Sequence, residues 1–162
     1  MPTISEMEVI TTVLPGPQLP EKTGKPFAGS LPQSTPETAH FWEGCKRGEL
    51  LLQRCGDTGK AYFPPRPFSP YTGTRSVEVF QASGRATLYS YVIHHRAVPG
   101  FEPPYAIAVV ELEEGPRMMT NILDCPQTPE DLVLDMELEV TFQKMDNEIT
   151  LPYFRPLKKE GN

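Results

Sequence analysis

A chain of 162 residues, 38% apolar and 22% charged, can bury one core with a small satellite lobe, and its balance is that of a globular protein. A formal net charge of −6 disfavours a role in tracking nucleic-acid backbones, because that affinity rests on Lys and Arg neutralising phosphates. No stretch approaches the roughly 18 apolar residues of a membrane span, the N-terminus carries no basic-then-apolar leader, and three cysteines form no disulfide framework, so a cytoplasmic location is expected.

Seven of the 19 prolines fall in the first 36 residues, where no apolar periodicity is sustained, and residues 1–35 read as an extended arm. A helix is expected from Pro36, with Ser34 or Thr35 as cap and Glu37 near the positive end of the dipole. Phe41, Trp42 and Cys45 share a face of it, and Gly48 is a natural stop. Such an aromatic stripe either anchors the helix to its own domain or meets a partner.

Residues 50–55 read as a short strand and 60–63 as its return, while Pro64, Pro65 and Pro67 force extended backbone that cannot join a central ladder. Cys55 and Thr58 are separated by two residues, a gap of ten follows, and Ser69 and Thr72 repeat the two-residue spacing. That is the frame of a CxxC…CxxC zinc ribbon, with a thiol at one of four positions. Hydroxyls stay protonated at neutral pH and do not replace thiolates, and His40, Asp57 or Cys45 as substitute ligands would complete only a poor tetrahedral set. A ribbon shape without a ribbon metal is therefore expected, with neither zinc nor another cofactor, and with Cys55, Thr58, Ser69 and Thr72 as vestigial ligand positions.

From Val77 the pattern changes to strands: VEVFQASGRATLYSYVIHHRAV around a break at Gly84, then YAIAVVEL, the turn EEGP, and RMMTNILD. TPEDLVL offers Thr128 as cap and Pro129 in a first turn of one or two helical turns, and ELEVTFQKM and ITLPYFRP close the chain as a hairpin around Asp146 and Asn147. Five strands with a short helical piece between the third and fourth match the order of an OB-fold barrel. The expected fold is thus mainly β: an arm over 1–35, a helix and degenerate ribbon lobe over 36–76, a barrel over 77–157 and a tail over 158–162.

With these segments in place, FWEGCKRGELLLQRC, FPPRP, SPYTGT, GRATLYSYVIHHRAVPGFEPPYAIAVVELEEGPRMMTNI and LPYFRP together resemble the acyl-CoA-associated family that joins a rubredoxin-like zinc ribbon to an OB-fold, known as domain of unknown function thirty-five. The resemblance runs from Pro36 to Pro156. It implies a non-catalytic partner of thiolase-like condensing, acyltransferase or aldolase enzymes, or of MaoC-like hydratases, that helps shape an acyl-CoA entrance within a hetero-oligomer. The sequence departs from the family at three of the four ribbon positions and at Asp135-Met136, where members often place a glycine before the fourth strand.

The remaining chemistry-bearing residues carry weaker signals. His94 and His95 are adjacent, so on a strand they point to opposite faces, and no catalytic motif surrounds them. The loop RAVPGFEPPY is stiffened by Pro99, Pro103 and Pro104 and carries Phe101 and Tyr105, which fits either a docking loop or a lid on its own barrel. Tyr89 and Tyr91, placed by alternation on one face, and Phe142 keep open the alternative of an OB module binding single-stranded nucleic acid, against the repulsion of Glu111, Glu113, Glu114, Glu137 and Glu139. Cys45, Cys55 and Cys125 lack an adjacent base. Lys46, Arg47, Arg54, Lys60 and Arg66 make the ribbon neighbourhood the more basic part. No catalytic residue is assigned; Arg54 and Arg66 are the candidates for CoA phosphates, and Trp42, Phe101 and Tyr105 for a partner surface.

Overall fold

A computed structural model describes residues 27–158. The part of the expected arm before residue 27, and all but the first residue of the expected tail, lie outside the described residues. Helix α1 spans Ala39–Arg47. It begins three residues later than the sequence implies, because the Thr38 hydroxyl accepts the Thr35 amide at 2.9 Å and the Thr38 amide bonds the Thr35 carbonyl at 3.0 Å. Pro36 and Glu37 are thereby held in a turn rather than in the helix. Gly48 ends α1 at φ 77°, a left-handed conformation that costs a residue without Cβ nothing, and its amide caps the carbonyls of Gly44 and Cys45.

Strands β1 (Leu51–Cys55), β2 (Ala61–Tyr62) and β3 (Val77–Gln81) form a sheet in the order β2-β1-β3. The pairing of β3 differs from expectation. Val77 opens no barrel; every residue of β3 pairs antiparallel with β1, from Leu51 opposite Gln81 to Cys55 opposite Val77. The break comes afterwards, at Gly84, which sits at φ 78° where a Cβ would run into Val140.

The second sheet contains β4 (Arg85–His94), β5 (Tyr105–Leu112), β6 (Arg117–Thr120), β7 (Glu137–Lys144) and β8 (Thr150–Pro156), in the order β6-β5-β4-β7-β8. Its ends curl toward each other: Ile122, just beyond β6, makes a parallel bridge to Phe154 of β8, with the Leu123 amide on the Phe154 carbonyl at 2.7 Å. This is the strand order and closure of an OB-fold. The expected helical piece before β7 is a single turn, with the Asp131 and Leu132 amides on the Thr128 carbonyl and the Thr128 hydroxyl on Asp131 at 2.7 Å. Asp135 then adopts φ 65°, so an aspartate holds a left-handed conformation of the kind that glycine adopts most readily.

One apolar core serves both sheets. Phe41 and Cys45 from α1 and Leu50 and Leu52 at β1 join Leu88, Val110, Ile122, Leu138 and Phe154 of the barrel region in a continuous buried cluster. The small ribbon sheet, which lacks a large core of its own, is anchored through this shared interior.

Candidate functional site

Two knuckles face each other at the tip of the ribbon sheet. The first is closed by the Cys55 amide on the Lys60 carbonyl (2.9 Å) and the Gly59 amide on the Cys55 carbonyl (2.7 Å). The second is closed by the Ser69 amide on the Thr74 carbonyl and the Gly73 amide on the Ser69 carbonyl, both at 2.9 Å. The first knuckle carries Cys55 and Thr58, and the second carries Ser69 and Thr72. Cys55 is fully enclosed, with its Sγ 3.7 Å from Thr72 Oγ1. Hydrogen bonds from the hydroxyls of Ser69 and Thr58 outweigh burial and pull the Cys55 thiol down to about 6.

The donor set does not suit zinc. Ser69 Oγ already accepts the Tyr71 and Thr72 amides at 3.2 and 3.3 Å, and Thr72 Oγ1 donates to Asp57 Oδ2 at 3.2 Å, so these oxygens are engaged as neutral hydroxyls. One thiol among three hydroxyls offers too little charge and softness for a tetrahedral structural ion. Among the described residues no three His, Cys, Asp or Glu side chains cluster to hold a metal. The sequence offers Asp57 only as a weak substitute ligand; in the fold it also accepts Thr74 Oγ1 at 2.7 Å, and the hydroxyls of Thr74, then Ser76, and more weakly Thr72 hold its carboxyl below the usual carboxylate range.

The candidate cations are differently placed. Arg54 is committed, with Nε on Glu78 Oε2 at 2.9 Å and its guanidinium 5.3 Å from the Phe80 ring centroid. Arg66 is exposed, and its backbone amide bonds Gln53 Oε1 at 2.7 Å, which fixes the loop that carries it. Nearby, Lys60 lies over Tyr71 and Arg75 over Phe68, two cation–aromatic pairs that the sequence does not announce because no fixed spacing joins the partners.

The candidate contact residues separate into exposed and buried. Tyr105 is only 6% exposed and stacks under Phe101 at 5.1 Å, so it props the loop instead of facing outward. Phe101 is half-buried, met edge-on by Phe27 at 5.8 Å. Trp42 packs edge-on to the buried Phe41 at 4.9 Å and lines a cleft of about 490 Å³ with Leu31, Pro32, Lys46 and Asp146. His94 sits against Tyr105 at 5.2 Å with Nδ1 3.0 Å from the Arg96 carbonyl oxygen, a positioned end-of-strand residue, and His95 is exposed.

Alternation places Tyr89 and Tyr91 on one face, and the fold separates them. A β-bulge between Leu88 and Ser90 leaves Tyr89 outside the ladder, so alternation restarts: Tyr89 is 47% exposed while Tyr91 packs inward on the core. Arg117 covers the Tyr89 ring at 3.5 Å and is held by Glu111 at 2.7 Å.

A metal-binding frame emptied of thiols at three of its four positions, joined through a shared core to a curled five-stranded sheet, defines a ribbon-plus-OB-fold protein. Comparison with known proteins agrees. Residues 42–70 match the family described as the ChsH2 rubredoxin-like zinc ribbon domain, and residues 80–143 match the ChsH2 C-terminal OB-fold domain. The chain is 37% identical to a DUF35 domain-containing scaffold protein of Methanocaldococcus jannaschii, over 72% of this chain and 89% of that protein. It is 42% identical over 98 residues to the 3-oxo-4,17-pregnadiene-20-carboxyl-CoA hydratase alpha subunit of Mycobacterium tuberculosis, covering 60% of this chain and 31% of that protein. The chain spans about a third of the length of the hydratase subunits it matches. A solved structure titled Ltp2-ChsH2(DUF35) aldolase superposes with a TM-score of 0.69 at 35% identity, over 78% of this chain and 98% of that one. The chain belongs to the DUF35 family.

Proposed function

We propose that this chain is a non-catalytic accessory subunit of an acyl-CoA-processing complex, that its partner is a thiolase-like enzyme of condensing, acyltransferase or aldolase type, and that it helps form the acyl-CoA entrance. The observation that carries this reading is the near end-to-end similarity to the DUF35 chain of an aldolase structure, which spans both lobes and leaves no separate domain of that chain unaccounted for. The hydratase subunits among the relatives favour a MaoC-like hydratase as a second partner class. Three buried free cysteines suit a reducing compartment such as the cytoplasm.

In this reading Phe101, backed by Tyr105, and Trp42 at the mouth of its cleft meet the partner, while Arg66 is better placed than the paired Arg54 for CoA phosphates. The ribbon contributes shape and surface rather than a metal centre. The test is affinity purification of the tagged chain from its own organism, with mass spectrometry and an acyl-CoA turnover assay on whatever co-purifies. A stoichiometric thiolase-like subunit, with turnover by the pair and none by the isolated chain, is expected. Turnover by the pure chain would overturn the proposal. Phe101→Ala should abolish co-purification; because it also removes the contacts with Phe27 and Tyr105, some stability is lost, and circular dichroism of the isolated variant must still show a folded chain.

A further inference from the structure

We infer that the link zinc would make between the two ribbon knuckles is made in this chain by a hydroxyl–carboxylate clasp centred on Asp57. The inference extends the metal-free reading of the ribbon and is independent of which enzyme the chain partners.

A ribbon metal takes its four ligands in pairs from two loops, and the ion holds those loops together where too little apolar surface is available to do so. In this chain the same two loops are joined by side chains. Asp57, on the first knuckle, accepts hydrogen bonds from Thr72 Oγ1 at 3.2 Å and Thr74 Oγ1 at 2.7 Å on the second, across 15 and 17 residues of sequence. The two threonine hydroxyls also lie 2.9 Å from each other, so the carboxylate and both donors form one triangle. A charged acceptor makes such bonds roughly twice as strong as neutral ones. The adjacent Gly56 amide adds a bond to the Ser76 carbonyl at 2.9 Å, continuing the join toward β3.

One crossing between the knuckles has the spacing of two ligands. Two ligands about 2.3 Å from a tetrahedral ion stand about 3.8 Å apart. Cys55 Sγ and Thr72 Oγ1, at vestigial positions of opposite knuckles, are 3.7 Å apart. Ser69, only 2% exposed, turns its oxygen to the Tyr71 and Thr72 amides and so holds the second knuckle from within. The ribbon is therefore closed by an outer clasp, Asp57 with Thr72 and Thr74, and an inner contact, Cys55 with Thr72.

The experiment uses the full chain purified without chelator. Zinc is counted per chain by mass spectrometry of the metal, and thermal unfolding is followed with and without EDTA for the wild type, Asp57→Ala and Asp57→Asn. Expected are far less than one zinc per chain, no change of midpoint with EDTA, and a midpoint lowered by about 1–4 °C in Asp57→Ala, as befits an exposed carboxylate, with a smaller fall in Asp57→Asn, which keeps one acceptor oxygen. One zinc per chain whose removal lowers the midpoint would overturn the inference. So would an Asp57→Ala midpoint equal to wild type. If Asp57→Ala does not fold, Thr74→Val, which removes the shorter of the two donors and leaves the carboxylate in place, takes its place: a lowered midpoint supports the clasp, and a midpoint equal to wild type overturns it. The triple variant Thr58→Cys, Ser69→Cys, Thr72→Cys sharpens the result: uptake of one zinc, with EDTA sensitivity, is expected if the knuckles keep ligand spacing, and no uptake contradicts that spacing.

Discussion

The ribbon and the barrel solve the problem of cohesion in opposite ways, and two cysteines display the difference. Cys45, on α1 where it packs into the shared core, is surrounded by apolar atoms, and burial pushes its thiol up to about 12. Cys55, equally enclosed, is surrounded by hydroxyls that pull its thiol down to about 6. The barrel is held by apolar area removed from water, which is non-directional and tolerates no ions. The ribbon tip is held by directional polar contacts, which are individually modest and depend on every partner being present. The lesson is that two lobes sharing one interior can be tied at their far ends by different forces, apolar area in one and hydrogen bonds between knuckles in the other.

This contrast can be broken at three strengths. The largest effect is expected from Phe154→Ala, because Phe154 is fully buried and carries the bridge that closes the barrel. Truncation should cost about 3–5 kcal/mol in urea unfolding, and a loss under about 1 kcal/mol would mean that the barrel is not the main store of stability. Alkali comes next. The Cys45 thiol ionises near 9.0 when unfolded but is held to about 12 when folded, so its contribution is intact below pH 9 and is lost as pH rises toward 12. By about pH 11 that linkage amounts to about 2–3 kcal/mol, and Cys45→Ala should make the alkaline loss shallower without abolishing it, because the Cys125 thiol and the Tyr153 phenol, also pushed up by burial, still ionise on unfolding. An alkaline loss of unchanged depth would detach that weakness from the Cys45 thiol. The smallest effect is Ser69→Ala, which leaves the Tyr71 and Thr72 amides without their acceptor and should cost about 1–2 kcal/mol by the same urea measurement. No loss there would mean that the ribbon tip is not held by its hydroxyls.

Much of this is legible in the sequence because it depends on local spacing. The knuckle frame at Cys55, Thr58, Ser69 and Thr72, the stop at Gly48 and the five barrel strands all rest on patterns a few residues long, and all appear in the fold. What escapes depends on pairing across the chain. Alternation in VEVFQ says which side chains share a face but not which strand they lie beside, so the join of β3 to β1 is invisible there. A single extra residue at Tyr89 reverses the facing of Tyr91, and no local residue preference announces such a bulge. At the candidate site, Tyr105 and Arg54 read as contact residues from their chemistry, yet one is buried beneath Phe101 and the other paired with Glu78, facts set by how the folded chain packs around them. Asp57 escapes for the same reason: its donors stand 15 and 17 residues away.

The bridge between Ile122 and Phe154 has a mechanical consequence. Neighbouring strands of the barrel are sewn along ladders of up to eight paired residues, as between β4 and β5, whereas its two outer edges are fastened at one bridge, supported by the Leu123 and Phe154 amides and by Arg155 reaching Asp124 at 3.7 Å. The barrel is therefore a strip with one button rather than a seamless tube. A load drawn across it falls on that fastening first, and next on the three pairs that join β4 to β7.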